Sequence, residues 1–128
     1  MKFVELRDLP KGSIVYVASP LSAKTLEEQK ANIENALLYE KCVESINSGV
    51  KAIAPHGHLT SFLDDNNARQ RKLGMDFGML VLKQADAIAV FGSKISSGMR
   101  EEILYALKEG IPIYVVDQLR SDIEALAK

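Results

Sequence analysis

Four short apolar runs recur along the chain, each rich in Ile, Val and Ala. They cover residues 13–18, 50–54, 85–91 and 111–116. None of them alternates cleanly between apolar and polar residues. Continuous apolar runs of this length are typical of strands in a parallel sheet that is covered on both faces. The pattern therefore predicts four buried parallel strands.

Between these runs, apolar residues recur at intervals of three and four, which is the spacing of a helix with one buried face. The predicted helices span residues 25–47, 68–84 and 98–109, with a short terminal helix over residues 121–128. Gly49 and Gly110 follow two of these segments, at positions where glycine commonly ends a helix. Segment 2–6 is a candidate fifth strand at the edge of the sheet.

Strands and helices alternate along the chain, which predicts an α/β fold with right-handed crossovers. We expect a small doubly wound domain of the flavodoxin or Rossmann-like type, with three layers and a parallel sheet of four to five strands. No linker or repeat interrupts the pattern, so residues 1–128 are expected to form a single domain. With a strand order of 2-1-3-4, the loops over residues 19–24 and 92–97 would line one crevice.

Composition narrows the classes of function. The chain has 128 residues, of which 47% are hydrophobic, and a formal net charge of −1. Because the charge is balanced and forms no basic stripe, we expect no nucleic-acid partner. The single Cys42 excludes an internal disulfide. No apolar run approaches the length that spans a bilayer, so we expect a cytoplasmic protein with no membrane partner.

Glu102 is the main candidate for chemistry. It follows the sequence Ser96-Ser97-Gly98, which comes shortly after the third predicted strand. A small, glycine-containing turn there opens a helix at the edge of the sheet where ligands bind, and a carboxylate one turn into that helix can face the crevice. The alternative is that Glu102 only complements the positive end of the helix dipole.

Polar side chains also follow the first two strands. Ser19 and Ser22 could bind a phosphate with their hydroxyls and backbone N–H groups, or could simply cap the next helix. His56 and His58 follow the second strand, but with no further histidine in the chain we expect no metal site. His56 is expected instead to contact a substrate or to shape its loop. Arg69 and Arg71 lie near the start of a predicted helix. They could reach an anionic ligand or a neighbouring subunit, but a solvated helix start is the default expectation.

Four segments taken together resemble the nucleoside 2-deoxyribosyltransferase-like superfamily, which includes the 2′-deoxynucleoside 5′-phosphate N-hydrolases. The resemblance spans about residues 13–116 and rests on Tyr16-Val17-Ala18-Ser19-Pro20, Ile53-Ala54-Pro55-His56, Ala85-Asp86-Ala87-Ile88-Ala89-Val90 and Ser96-x-Gly98-x-x-x-Glu102-x-x-x-Ala106. The last segment is the most specific, because family enzymes carry a small loop, a glycine, the nucleophilic glutamate four residues later and a following alanine. On that pattern, Glu102 falls on the nucleophile.

The resemblance implies a reaction at C1′ of a nucleotide. Glu102 would displace the base and form a glycosyl ester, which water or another base resolves, as in retaining glycosidases. Tyr16 would lie near the sugar. The phosphate contacts would come from Ser19, Ser22, Ser96, Ser97 and Gly98. Ser96 is a serine as in the phosphate-dependent hydrolases, which favours a 5′-monophosphate as the substrate.

The resemblance also bears on cofactors and partners. It implies no cofactor. Superfamily relatives complete their sites across subunit contacts, so a homodimer or larger homo-oligomer is implied.

Family enzymes carry a second carboxylate, eight residues before the aspartate at the start of the third strand. That aspartate is Asp86 here, and the residue eight positions back is Gly78. Asp76 is the candidate acid or base in its place, provided that the helix is displaced, because two residues rotate a helical position by about 200°. We expect Asp76 to border the buried face of its helix, since Leu73 and Leu80 lie near it at helical spacing.

Two functions from different classes follow. The first is an N-glycosidase or deoxyribosyl-transfer enzyme, most simply one that hydrolyses a (deoxy)nucleoside 5′-monophosphate. The alternative is a non-catalytic module that binds or sequesters a nucleotide in the same crevice, which the glycine at position 78 favours. The preferred base and the choice between ribose and deoxyribose stay open.

Overall fold

The computed structural model describes residues 1–21, 23–59, 63–64 and 67–128, and in this part of the chain four parallel strands form one sheet. The strands are β1 (Ile14–Ala18), β2 (Lys51–Ile53), β3 (Ala87–Val90) and β4 (Ile113–Val115). Their order is β2-β1-β3-β4, so the direction of winding reverses between β1 and β3. The predicted α/β, doubly wound fold is confirmed.

Helices cover both faces of this sheet. They are α1 (Leu26–Ile46), α2 (Pro55–Leu59), α3 (Ala68–Lys83), α4 (Ser97–Glu109) and α5 (Asp117–Leu126). On one face, α1 packs through Ala36 and Val43. On the other face, α3, α4 and α5 contribute Leu82, Ile103 and Ile123 to a second apolar cluster. The result is the predicted arrangement of three layers.

Alternate residues of β1 belong to different layers. Val15 and Val17 pack in the cluster on the α1 side, whereas Tyr16 and Ala18 pack in the cluster with α4 and α5. Tyr16 lies where β1 pairs with both β2 and β3, and its side chain is fully buried. The alternation of the strand therefore directs a phenol from the centre of the sheet toward the α3–α4 side.

The predicted boundaries of the three long helices agree with the structure within one residue at each end. Thr25 caps α1 by accepting a hydrogen bond from the backbone N–H of Glu28 at 3.1 Å. Gly110 ends α4 in the left-handed conformation, with φ of 71°. In contrast, α5 begins at Asp117, four residues before the predicted start, and α2 was not predicted. A helix as short as α2 carries too few residues to show a hydrophobic period.

The prediction of a fifth strand over residues 2–6 is wrong. Phe3 makes a single parallel bridge with Ile113 of β4, and the chain then turns into a short 3₁₀ helix at Leu6–Asp8. Leu6 is buried in the cluster on the α1 side of the sheet. Because Leu6 packs against one face, the segment must leave the edge of β4 after a few residues.

Helix α3 buries the side that carries its glycines. Leu73, Phe77 and Leu80 form a stripe at helical spacing, yet these side chains are 59%, 48% and 59% exposed. The buried residues of the helix are Gly74, Gly78 and Leu82. Glycines without side chains let the helix backbone approach the layer beneath it. Despite the apolar stripe, no helix within the described residues is long and apolar enough to cross a membrane.

Two carboxylates of α1 bind the free edge of β2. Oε2 of Glu44 accepts a hydrogen bond from the backbone N–H of Ala52 at 2.9 Å, and Oε2 of Glu40 accepts one from Ala54 at 2.7 Å. The two acids are one helical turn apart, so both face the strand. Glu40 also contacts Nε2 of His58 at 2.9 Å. These contacts satisfy N–H groups that an edge strand would otherwise leave without a protein partner.

We expect Glu40→Ala to lower the free energy of unfolding by about 1–3 kcal/mol, because the part-buried N–H of Ala54 loses its acceptor. Chemical denaturation at pH 7 measures the change. Glu34→Ala on the same helix is the control, since its side chain is exposed and has no hydrogen-bond partner among the described residues. It should change stability by less than about 0.5 kcal/mol. Equal losses in both variants would contradict a role for the strand edge.

Candidate active site

Glu102 and Tyr16 form a buried pair beneath the carboxyl ends of the strands. The Tyr16 hydroxyl on β1 donates a hydrogen bond to Oε2 of Glu102 on α4. Glu102 is 7% exposed, and Tyr16 has no exposed surface. Burying a carboxylate is costly unless it is hydrogen-bonded, so this arrangement indicates a role beyond packing. Both residues were predicted site residues, and the structure brings them into direct contact.

The first turn of α4 sets the position of Glu102. The Oγ of Ser96 accepts a hydrogen bond from the backbone N–H of Met99 at 3.3 Å, which fixes the start of the helix. Glu102 then lies on the side of α4 that also buries Met99 and Ile103. That side packs on the sheet face that carries Tyr16. The register of the helix therefore directs the carboxylate toward the phenol.

Burial changes the acidity of both partners. Loss of contact with water raises the pKa of the Glu102 carboxyl to about 7, and the hydrogen bond from Tyr16 offsets part of this rise. Burial, the facing charge of Glu102 and the shared hydrogen bond together raise the pKa of the Tyr16 hydroxyl above its ordinary value. Tyr16 therefore stays protonated as a donor, while Glu102 changes its charge near neutral pH.

His56 approaches the same carboxylate from α2. Its Nε2 lies 3.8 Å from Oε2 of Glu102, which is too long for a hydrogen bond but close enough for an ion pair when the imidazole is protonated. The next residue, Gly57, packs closely on α1, because a β-carbon there would lie 3.3 Å from the β-carbon of Ala36. This contact fixes α2 and thereby the position of the histidine.

Gly78 of α3 packs against the side chains of Tyr16 and His56. A β-carbon at this position would lie 3.1 Å from the Tyr16 hydroxyl and 3.3 Å from Nε2 of His56. Both distances are tighter than ordinary carbon contacts, so the phenol and the imidazole occupy the space that a side chain would need. The bare backbone of Gly78 is what lets them approach Glu102 together.

Two loops meet beside this cluster. Gly92, after β3, has φ of 113°, and a β-carbon there would lie 2.7 Å from Cδ of Pro20 in the loop after β1. A side chain at position 92 would therefore be both strained and obstructed. The close approach of the two loops confirms that they lie together at the crossover point, as the strand order predicted.

A cleft opens above Glu102 between these loops, α2 and α3, with about 580 Å³ of empty space counted to its open mouth. Its lining residues are Ser19, Leu21, His56, Arg71, Met75, Met79, Ser96, Gly98, Met99, Glu101 and Glu102. The cleft thus combines carboxylates and one guanidinium with an apolar wall of leucine and methionine.

The predicted site residues do not all reach this cleft. Five of them line it: Ser19, His56, Ser96, Gly98 and Glu102. Tyr16 lies beneath it and contacts Glu102. Ser97 is exposed and is not among the lining residues. Ser22 lies outside the described residues.

Asp76 is not brought to the cluster. Its carboxylate pairs with Nζ of Lys72 at 2.8 Å, and 61% of its side chain is exposed. It lies two residues from Gly78, about 200° around the helix, so it faces outward when Gly78 faces Tyr16. The expectation that Asp76 borders a buried face is wrong, and the geometry does not support Asp76 as the acid.

Sequence reasoning missed the apolar wall of the cleft. Met75 and Met79 belong to α3, and they follow Arg71 at intervals of four residues. This spacing places all three on one side of the helix. The spacing predicts a shared helix face, but the apolar period through Leu73 and Phe77 is stronger and lies on the opposite side of α3.

The two histidines of α2 contact different acids. His58 lies 2.9 Å from Glu40, whereas His56 approaches Glu102. They do not converge on one point, as ligands of a shared ion would. Among the described residues, no three His, Cys, Asp or Glu side chains form a cluster that could hold a metal ion.

A family model described as "Domain of unknown function (DUF7768)" matches residues 13–116. The chain belongs to this family. No curated protein matches the sequence of this DUF7768 domain. The matched range contains all four strands and the whole cleft-forming cluster, so the site described above lies within the family domain.

Two solved structures resemble the domain. One is the 2-deoxyribosyltransferase of the psychrotolerant bacterium Bacillus psychrosaccharolyticus, at 17% identity and a TM-score of 0.56, over 80% of this chain and 71% of that one. The other is a conserved protein of Enterococcus faecalis V583, at 15% identity and a TM-score of 0.58, over 91% and 76%. The domain therefore has a nucleoside 2-deoxyribosyltransferase-like fold, as the four sequence segments predicted.

The raised pKa of Glu102 predicts a dependence of stability on pH. Its pKa is about 7 in the folded chain against 4.5 as the ordinary value, so ionisation opposes folding. The contribution of this carboxyl to the free energy of unfolding should be highest below about pH 4.5, fall as pH rises toward 7, and level off above it. The total fall from this group is on the order of 3 kcal/mol. Denaturant unfolding at a series of pH values measures it.

Glu102→Gln removes the charge and keeps the shape. At pH 8 this variant should be more stable than the wild type, and the difference should shrink toward pH 5. Glu101→Gln is the matched control, because that neighbouring carboxylate is exposed and should leave the profile unchanged. Parallel profiles for Glu102→Gln and the wild type would contradict the inferred burial cost.

Proposed function

We propose that this domain breaks the N-glycosidic bond of a nucleotide, with hydrolysis of a (deoxy)nucleoside 5′-monophosphate as the reaction. The observation that supports this most is the buried Glu102, held by the Tyr16 hydroxyl at the floor of an open cleft. Burying a carboxylate in this position costs free energy of folding, and such burial is expected where the carboxylate has a chemical function, such as covalent catalysis at a sugar carbon.

In the proposed reaction, an oxygen of Glu102 attacks C1′ and the bond from C1′ to the base breaks. The glycosyl ester is then resolved by water, which returns the free carboxylate and a sugar phosphate. Glu102 must be ionised to attack, and a pKa of about 7 leaves a substantial ionised fraction at neutral pH. The Tyr16 hydroxyl holds one carboxylate oxygen, so the other is the candidate nucleophile.

The lining of the cleft supports a nucleotide as the substrate class. Leu21, Met75 and Met79 offer an apolar wall against which a flat base can pack. Gly98 and Ser96 lie at the amino end of α4, where backbone N–H groups and the helix dipole favour an anion. Arg71 adds a positive charge to the same cleft. A phosphate therefore has suitable partners beside the carboxylate.

The second candidate is a non-catalytic module that binds or sequesters a nucleotide. The observation that favours it is Gly78, which stands where the resemblance implies a second carboxylate. The outward-facing Asp76 does not supply that group. In this alternative, the same cleft binds the nucleotide and its glycosidic bond stays intact.

Release of free base separates the two candidates. The purified protein is incubated with a panel of deoxyribonucleoside and ribonucleoside 5′-monophosphates, and the products are separated by chromatography. We expect base release from at least one nucleotide in the wild type and none above background in Glu102→Ala or Glu102→Gln, because both variants lack the nucleophile.

Glu101→Gln is the matched control for this experiment and should keep most of the activity. Binding of the same nucleotides is measured by calorimetry in parallel. Tight binding without release, unchanged in Glu102→Gln, would contradict the enzyme and support the binding module. Neither release nor binding across the panel would contradict both.

We also propose that the domain assembles as a homodimer through α3. Leu73, Phe77 and Leu80 form one exposed apolar stripe, and water-exposed stripes of this kind commonly mark interfaces. The opposite side of α3 carries Arg71 and Met75, which line the cleft. A second copy on the stripe would therefore pack on the side of α3 that faces away from the cleft.

Phe77→Lys should shift the wild-type oligomer toward the monomer, because it places a charge in the middle of the stripe. Sedimentation velocity at micromolar concentrations measures the change. Leu26→Lys at the start of α1 is the control, since this leucine is exposed but lies outside the stripe and should leave the assembly unchanged. A wild type that sediments as a monomer throughout would contradict the proposal.

A further inference from the structure

We propose that His56 is the acid that protonates the leaving base, and the base that later activates water, in place of a second carboxylate. This inference rests on the proposed N-glycosidase function. Three observations carry it: the contact between His56 and the nucleophile, the space at Gly78, and the outward direction of Asp76.

The space around Gly78 indicates which group replaced the carboxylate. A side chain at position 78 would begin 3.1 Å from the Tyr16 hydroxyl and 3.3 Å from Nε2 of His56. An acid at this position would therefore force the phenol and the imidazole to shift by a few tenths of an ångström, so it competes with the imidazole for the same space. Because Gly78 has no side chain, it leaves space that the imidazole of His56 occupies. The imidazole is a group that can transfer a proton.

The placement of His56 suits proton transfer to a leaving group. Nε2 is 3.8 Å from the carboxylate of Glu102, and the ring lines the cleft with a quarter of its side chain exposed. In retaining glycosidases the nucleophile and the acid are separated by about 5 Å, so that both reach the bond that breaks. The imidazole is thus close enough to reach a base on C1′ while Glu102 attacks that carbon.

The proton balance of the two steps is complete without another reactant. In the first step, the bond from Glu102 to C1′ forms, the C1′–N bond breaks, and the electron pair stays on the base nitrogens. The imidazolium of His56 donates its Nε2 proton to the leaving base. In the second step, neutral His56 takes a proton from water, the water oxygen bonds to C1′, and the ester bond to Glu102 breaks.

Other polar groups in the cleft are less suitable as the acid. The Tyr16 hydroxyl donates its hydrogen bond to Glu102 and lies fully buried beneath the cleft. The guanidinium of Arg71 donates hydrogen bonds and is not among the side chains that commonly act as general acids. Glu101 lines the cleft but is exposed. It is the strongest competitor, so it serves as the comparison in the test.

The test compares leaving bases that need a proton with bases that do not. The substrates are the guanine and adenine deoxynucleoside 5′-monophosphates and their 7-methyl derivatives, whose bases already carry a positive charge. For His56→Ala we expect kcat to fall by about 100-fold or more on the neutral bases and by less than about tenfold on the methylated ones. Glu101→Gln, the competing acid, should not lower kcat more on the neutral bases than on the methylated ones. Glu109→Gln is the control, because this exposed carboxylate at the end of α4 does not line the cleft, and it should leave kcat unchanged on all four substrates.

Equal losses on both kinds of base would overturn the assignment, because a merely structural role affects all substrates alike. An effect confined to Glu101→Gln would also overturn it. If the wild type releases no base from these four nucleotides or from the wider panel of deoxyribonucleoside and ribonucleoside 5′-monophosphates, the proposed function itself fails. His56→Gln, which keeps the size of the side chain, replaces His56→Ala if circular dichroism shows that the alanine variant does not fold.

A second pair of variants tests the competition for space between positions 56 and 78. Gly78→Asp alone should lower activity, because the new side chain meets the phenol and the imidazole. In the His56→Ala background the ring is absent, and Gly78→Asp should recover about tenfold or more of the lost activity on neutral bases. A double variant no more active than His56→Ala would contradict the proposed replacement.

Discussion

Burial of the Glu102 carboxylate against the Tyr16 hydroxyl is the contact on which the rest of the site depends. A charge in this position is opposed by desolvation, and one hydrogen bond from a phenol offsets part of that cost. The pair joins the central strand to the helix that follows β3, across 86 residues of sequence. The sheet order, the register of α4 and the alternation of β1 must all agree for the two atoms to meet.

The glycine at position 78 of α3 is explained by the same cluster of side chains. A helix that covers a phenol, an imidazole and a carboxylate has no room for side chains on its inner side, which explains Gly78. Leu73, Phe77 and Leu80 lie on the outer side of α3, where they are exposed. The inner side thus faces the candidate site, and the outer side carries the stripe proposed for assembly.

Much of this architecture is predictable from the sequence, because continuous apolar strands and helical periods are local patterns. The carboxyl ends of β1 and β3, and with them Tyr16 and Glu102, follow from those patterns and from the strand order. The side of α3 that is buried cannot be predicted from these patterns, because the strongest apolar period of the helix runs through Leu73 and Phe77, which are exposed. The buried side of that helix is defined by absent side chains, and hydrophobicity gives no signal for a missing group. The formation of α2 and the position of His56 depend on packing against α1, which is also not a property of the local sequence.

The two edges of the sheet differ from its interior in one further respect. Carboxylates of α1 occupy the N–H groups of Ala52 and Ala54 along β2, while residues 2–4 hydrogen-bond to Ile113 on β4. An open edge is a template on which strands of other copies can add. Here short, polar contacts from the same chain occupy part of each edge. They oppose the addition of a strand from another copy at these positions, so the proposed homodimer uses a helical surface, on which a closed pair can form instead of an open array.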